Sequence, residues 1–363
     1  MKLPTALLLA AALACHVLPA SAQDDTLRIY AWAGLFDDVI LNSFTDKTGY
    51  KVTYDNYDSD ETLETKLLSG DTGYDFIVPS ATPFLQREIA AGAIEKLDKS
   101  LIPNYALQSP ELLELLKRAD PKLEYAAIGG WGTNGLGYNV DKVKALFPDA
   151  PVDSFDLVFK PENAAKLASC GIAVVDSATD VIPLVLNYLG LDPQTQSADD
   201  LDKAMALLDQ IRPYVTLDKG RLITDMATGN ICVAIGYSGD ILQAKARAIE
   251  AGNGQKIEYV LPKEGTMAWI TTLAIPKNAP NPKAAHAFID HLLSPEISAH
   301  LTVTLGYANG VPASRDLLPP EIAGDKTIFP EGEVLASLFV TGTVEDTLNR
   351  QRNRAWTRFR SGE

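Results

Sequence analysis

Residues 26–92 decide the fold: TLRIYAW at 26–32, KVTYDNY at 51–57 and YDFIV at 74–78, each followed by a segment of helical pattern. The first two runs read as strands. The third is a nearly continuous apolar run, of the kind buried on both faces of a parallel sheet. Between them, residues 37–48 read as a helix that stops at Gly49, and residues 60–69 as a helix with Leu63, Leu67 and Leu68 on one face. Pro79 and Ser80 end the third run, and a helix carrying Phe84, Leu85 and Ile89 follows, stopping near Gly92. Strands alternating with helices predict a parallel sheet wrapped by helices. Ligands of such sheets sit beyond the carboxyl ends of the strands, which makes Trp32 and Ser80 candidates from topology alone.

The middle of the chain repeats the theme. A short helix over 163–169 leads into a strand at 172–175, and Asp176-Ser177 opens a helix over 180–189. Helices at 199–211 and 223–228 precede a strand at 231–235, and helices at 282–293 and 345–359 finish the chain. Asp176, Asp180 and Asp240 flank strand ends of this second sheet. Two strand-rich stretches, 126–139 and 257–274, carry the chain between the halves. Two crossings predict discontinuous lobes joined by a hinge, not beads on a string.

The 363 residues hold 47 acidic and 32 basic side chains, for a net charge of −15. A nucleic-acid partner is not expected, because phosphates need a surplus of Lys and Arg. The charge permits a cationic ligand. The first 22 residues differ from the rest: Lys2, an apolar run over 6–14 too short to span a bilayer, then Ala20-Ser21-Ala22. This pattern predicts a secretory signal peptide cleaved after Ala22. The alternative, a lipoprotein signal at Cys15, has a poor flanking sequence in Ala12-Leu13-Ala14. Removing Lys2 with the leader takes the charge from −15 to −16. The remaining cysteines are Cys170 and Cys232. In an exported compartment an even pair reads as a disulfide, with two buried free thiols as the alternative. His286, His291 and His300 lack metal-ligand spacing, so neither metal nor cofactor is expected.

Enzyme motifs fare poorly. Gly130-Trp131-Gly132-Thr133-Asn134-Gly135 matches G-x-G-x-x-G, but it leads into strand where a dinucleotide site needs a helix. Asp176, Asp180 and Asp240 could supply the paired carboxylates of a glycosidase, yet in so acidic a chain such pairs arise by chance. Arg350, Arg352, Arg354, Arg358 and Arg360 read as the solvated face of a terminal helix, with a partner surface as the alternative. The more informative signal is aromatic. Trp32, Tyr237, Trp269 and Tyr307 each fall at a strand end or Gly-rich turn, and Tyr237-Ser238-Gly239-Asp240 sets an aromatic beside a carboxylate. Aromatic faces attract ammonium groups and cover methylene chains, and a carboxylate pairs with the amine. That combination suits a flexible aliphatic amine, provided all of these residues meet in one cleft.

These residues make the sequence recognisable. It resembles the periplasmic polyamine-binding proteins of ABC importers, most of all the putrescine-binding type, over essentially the whole chain after the leader. The segments that carry the resemblance are Ile29-Tyr30-x-Trp32, TGYDFIVPS at 72–80, GYNVDKV at 137–143, PVDSFD at 151–156, VLNYLG at 185–190, ICVAIG at 231–236, PKEG at 262–265 and RAWT at 354–357. The resemblance implies a two-lobed α/β fold of the type II periplasmic binding class, each lobe a mixed, mainly parallel sheet wrapped by helices and joined by two crossing strands. It places lobe 1 at 23–130 plus 270–315 and lobe 2 at 131–269 plus 316–363. It also implies a Cys170–Cys232 bridge. Trp32, Tyr237, Trp269 and Tyr307 look like the family's aromatic box, and Ser80 like its polar contact at a helix start. Asp240 looks like the carboxylate that holds one amine in the putrescine type, and Asp180 stands where the family has Glu.

The implied protein is no enzyme. It is a monomeric, periplasmic receptor that captures a polyamine such as putrescine and passes it to ABC permease subunits. Alternatives are a receptor for another small cationic amine or guanidino compound, a sensor or adhesin without transport, and an extracytoplasmic hydrolase. The sequence departs from the family at Ala33-Gly34-Leu35, where Ser or Thr, an acid and Tyr are usual, and at Thr271, where Asp is usual. These departures predict a site short of two carboxylates and a phenol, in which Asp180, helped by Asp176 or Ser177, must serve the second amine.

Overall fold

The computed structural model describes residues 25–362, so the expected signal peptide lies outside the described residues. Among these residues nine strands form one sheet: β1 (Thr26–Trp32), β2 (Lys51–Tyr57), β3 (Phe76–Ile77), β4 (Ala126–Asn139), β5 (Ile172–Val174), β6 (Thr216–Leu217), β7 (Val233–Tyr237), β8 (Ile257–Val260) and β9 (Ala268–Ala274). Their order is β2-β1-β3-β9-β4-β7-β5-β6, with β8 paired to β4. β1, β2 and β3 are mutually parallel, as are β5, β6 and β7; β3–β9 and every β4 pairing are antiparallel. The sheet is therefore mixed, with a parallel block at each end.

β4 links the two blocks by changing partners along its length. From Ala126 to Thr133 it pairs with β9. From Asn134 onward it pairs with β7 on one side and β8 on the other. The expected crossing over 126–139 is thus a single 14-residue strand. The second expected crossing, 257–274, divides into β8 and β9, one belonging to each block.

Local signals set the helix ends. Helix Asp38–Thr48 starts where the Asp37 side chain accepts from the Ile40 amide, and it stops at Gly49 in the left-handed conformation. Helix Asp60–Leu68 begins at an Ser59 cap with two acids in its first turn. Helix Ala178–Tyr188 follows β5, and helix Ser238–Glu250 follows β7 directly, so Asp180 and Asp240 both lie in first turns. The terminal helix spans Asp346–Ser361.

Three large apolar clusters flank this sheet. One gathers Phe36, Phe44, Phe76 and Phe288 on the β1 side, with Phe288 edge-on to the other three at 5.0–5.3 Å. Another holds Phe155, Phe159, Val174, Val185, Leu208, Ile235, Trp356 and Phe359 on the β5 side. The third runs from Tyr57 and Leu63 to Ile128, Trp131 and Ile270. Full burial of each such side chain contributes about 1.5–3 kcal/mol. Residues 316–363 divide between the sides: Ile328, Phe329, Leu338 and Val340 pack on the third cluster, while Leu348, Ala355 and Trp356 pack on the β5 side. Cys170 and Cys232 are bonded to each other, with Cα atoms 5.5 Å apart, and tie the turn before β5 to the start of β7.

Candidate ligand-binding cleft

The carboxyl ends of β1, β3 and β7 and the first turns that follow them face a cleft of about 850 Å³. All eight residues singled out in the sequence line it: Trp32, Ser80, Asp180, Tyr237, Asp240, Trp269, Thr271 and Tyr307. Ser80 and Thr271 are bridge partners, so the two sit side by side.

Five of the eight form a continuous row. The Tyr237 hydroxyl donates to Asp180 Oδ2 at 2.6 Å. The Tyr237 ring meets the Trp269 ring at 6.2 Å and 88°, and Trp269 meets Tyr307 at 4.8 Å and 81°. The Tyr307 hydroxyl donates to Asp240 Oδ1 at 3.2 Å. The row begins and ends on a carboxylate, with three aromatic rings between. Trp32 is held apart from it, its Nε1 donating to the Val78 carbonyl at 3.1 Å and its ring packed edge-on against Tyr57.

Glycine makes room for two of those rings. A Cβ on Gly132 of β4 would lie 2.4 Å from the Trp269 ring, and one on Gly239 would lie 2.3 Å from the Tyr307 ring. The G-x-G-x-x-G run at 130–135 is interior to β4 and opens no helix. Its middle glycine serves close packing of a ring on the strand, not phosphate binding.

Burial shapes the charges. Burial raises the carboxyl of Asp180, opposed by hydrogen bonds from Tyr237 and Ser177 and by the charge of the buried Arg352, with Glu61 raising it further. Burial likewise raises Asp240, opposed by the Tyr307 hydroxyl and reinforced by Asp218. Both phenols are pushed well above their ordinary range by burial and by these carboxylates, so they remain donors. A cation beside either carboxylate offsets the cost of its burial.

The acids total more than the sequence reading named. Asp58, Asp60 and Glu61 line the cleft as well. They sit just past the carboxyl end of β2, the same edge that marked Trp32 and Ser80. Asp60 Oδ1 accepts the Ser80 amide at 3.0 Å. Asp176, expected to help Asp180, is already engaged: Trp356 Nε1 donates to its Oδ1 at 2.9 Å, and Arg360 Nε lies 3.0 Å from its Oδ2. Arg360 is the lone Lys or Arg among the described lining residues, against six acids. The deficit expected from Gly34 and Thr271 therefore does not extend to the cleft as a whole. The basic run of the terminal helix also divides: Arg360 pairs in the cleft, Arg352 is buried, and Arg350, Arg354 and Arg358 are exposed. Among the described residues no group of three or more His, Cys, Asp or Glu is placed to hold a metal ion, and no helix is long and apolar enough to cross a membrane.

A mixed sheet bridged by a long shared strand, with an acidic and aromatic cleft at the strand ends, defines a solute-binding protein. The chain belongs to the bacterial extracellular solute-binding protein family, whose model matches residues 40–330. It is 46% identical over 345 residues to the putrescine-binding periplasmic protein SpuD of Pseudomonas aeruginosa, covering 94% of each chain. It is 43% identical over 356 residues to the putrescine-binding periplasmic protein PotF of Escherichia coli, covering 97% of this chain and 96% of that one. Among solved structures it is similar to the spermidine/putrescine ABC transporter substrate-binding protein PotD of Streptococcus pneumoniae. The TM-score there is 0.78 at 26% identity, covering 93% of this chain and 99% of that one. The fold is the type II periplasmic binding fold.

Proposed function

We propose that this protein is a periplasmic receptor that captures a polyamine such as putrescine in the cleft and delivers it to the permease subunits of an ABC importer, acting as a monomer and not as an enzyme. The row Asp180–Tyr237–Trp269–Tyr307–Asp240 is the single observation that carries this reading. A diamine has an ammonium group at each end and methylenes between, and the row offers a carboxylate at each end and aromatic faces between. Each charged end finds a charge-assisted partner, and the chain is covered by rings. The similarity to two putrescine-binding proteins over nearly the full length supports the same ligand class.

In this reading the chain forms two lobes, 23–130 plus 270–315 and 131–269 plus 316–363, the stretch that carries Ile328, Phe329, Leu338 and Val340 packing instead on the third cluster, and they close on the ligand by bending where β4 changes partners. A receptor for a singly charged amine or guanidino compound is the second reading, favoured by Gly34 and Thr271 standing where the resembled family keeps acids.

A thermal-shift panel of putrescine, longer polyamines, a monoamine and a guanidino amine tests it. A ligand at 100 times its Kd stabilises by about 2.7 kcal/mol, so a polyamine should raise Tm clearly. Raised Tm with the monoamine or the guanidino amine but with no polyamine would favour the second reading, and no response to any amine would sink both.

A further inference from the structure

Asp60 occupies an unusual position for an acid in the first turn of a helix. It is only 7% exposed, it lines the cleft, and its Oδ1 accepts the backbone amide of Ser80. An acid at a helix start is ordinarily a solvated complement to the helix dipole. This one is buried at the wall of a cleft that Glu61 of the same turn and Asp180 from the helix after β5 also line. Beyond burial itself, the like charge of Asp180 raises the Asp60 carboxyl, and Glu61 raises that of Asp180, which the buried Arg352 opposes. No Lys or Arg is paired with Asp60 among the described residues. Arg352 offsets part of the repulsion at Asp180, while no cation among the described residues acts on Asp60, and like charges facing one another across a cleft are costly until a cation enters it.

We propose that Asp60, assisted by Glu61, is a specificity-determining residue that meets one ammonium group of the ligand together with Asp180, so that the cleft selects doubly charged over singly charged amines. This rests on the polyamine-receptor reading and adds the residues that distinguish a dication. In effect Asp60 and Glu61 supply the carboxylates that Gly34 and Thr271 lack. Because they approach from the β2 side while Asp180 approaches from the β5 side, one ammonium group held among them relieves repulsion across the cleft and favours closure.

The charge state of Asp60 follows from its surroundings. Burial pushes its carboxyl up to about 6, opposed by the Ser80 bonds and reinforced by Glu61 and Asp180. Behind it stand Glu88, wholly buried, and Tyr57, both electrostatically coupled to it, with Asp58 beside it at the mouth of the helix. A cation bound beside Asp60 favours its ionised form, so diamine binding near pH 6 releases protons and weakens as pH falls below 6.

The test compares wild type, Asp60→Asn and Glu61→Gln by calorimetry with putrescine and with butylamine, at fixed salt. Asn keeps the oxygen that accepts the Ser80 amide and removes only the charge. Asp60→Asn should lose about tenfold or more in putrescine affinity and much less in butylamine affinity. Proton release at pH 6, read from buffers of different ionisation heat, should fall with it. Glu61 is exposed, so Glu61→Gln should fold without difficulty and shift the putrescine-to-butylamine ratio in the same direction by a smaller factor. An unchanged ratio in folded Asp60→Asn, or in Glu61→Gln should Asp60→Asn fail to fold, overturns this inference and leaves the receptor reading standing. A wild type that binds no amine removes both.

Discussion

The Tyr237 hydroxyl is bonded at 2.6 Å to Asp180 Oδ2. Through it the aromatic row and the acid at its end are one unit: the ring packs on Trp269 while the hydroxyl orients the carboxylate. Burial alone drives Asp180 toward its neutral form, and this bond opposes that drive. Tyr237→Phe keeps the ring and removes the donor. Diamine affinity should fall several-fold, in line with about 0.5–1.5 kcal/mol for one such bond, and the fall should be steeper at low pH. Calorimetry at pH 5.5 and 7.5 checks both points; a pH-independent effect would mean that the hydroxyl does not support the charge.

Gly132 and Trp269 are fitted to each other. A Cβ at Gly132 would lie 2.4 Å from the indole, closer than packed atoms tolerate, so Gly132→Ala must displace the ring or the strand. Amine binding should weaken at least tenfold with a modest loss of stability, because overpacking costs about 1–3 kcal/mol. Trp fluorescence and ligand titration read the two effects separately. Unchanged affinity would remove Trp269 from the binding row.

Glu88 predicts the pH dependence of stability in the ligand-free protein. It is 0% exposed, and among the described residues neither carboxylate oxygen has a hydrogen-bond partner. Burial, with Asp60 and Glu64 reinforcing, pushes its carboxyl up to about 8. A carboxyl raised in the folded state favours folding fully below its unfolded pKa, near 4.5. That contribution is lost progressively as pH climbs toward 8, a difference of a few kcal/mol. Glu88→Met should therefore gain stability over wild type, and gain more at pH 8 than at pH 5. Denaturant melts at the two pH values measure it; a gain independent of pH would show that Glu88 does not titrate in this range.

The bridge between Cys170 and Cys232 closes a loop with a sequence separation of 62. Reduction should cost about 2–4 kcal/mol, and thiol labelling of denatured, unreduced protein should find neither cysteine free. Two labelled thiols per chain would refute the bridge.

Much of the fold was legible because its signals are local. The boundaries of β1, β2 and β4 match the runs read from sequence, and Asp37 and Gly49 mark their helix as caps do. The run at 74–78 pairs over Phe76 and Ile77 alone, since Asp75 is turned inward, accepting the amides of Arg28 and Asn281. β7 begins two residues later than expected, at Val233, because Cys232 and Val233 both donate to the Gly171 carbonyl beside the disulfide. Helix Pro295–Leu305 went unread, although Ser294 followed by Pro295 is a helix-start signal. At the site, aromatics next to strand ends were informative because large rings at turns need a reason. In sequence Asp60 and Glu61 look like ordinary first-turn acids and Asp58 like a residue before the cap, and only their place at the end of β2 distinguishes them. The engagement of Asp176 by Arg360 and Trp356 spans about 180 residues of chain and leaves no local trace.

The most direct measurement is a calorimetric titration of the ligand-free protein and of Asp240→Asn with putrescine, at fixed salt because screening alters these electrostatic terms. Wild type should bind one putrescine per chain, and Asp240→Asn, with an unaltered melt, should lose more than tenfold in affinity, since a desolvated carboxylate–ammonium pair contributes more than about 1.5 kcal/mol. Wild-type affinity in Asp240→Asn, or no putrescine binding by the wild type, would contradict a cleft built to hold an amine between two carboxylates.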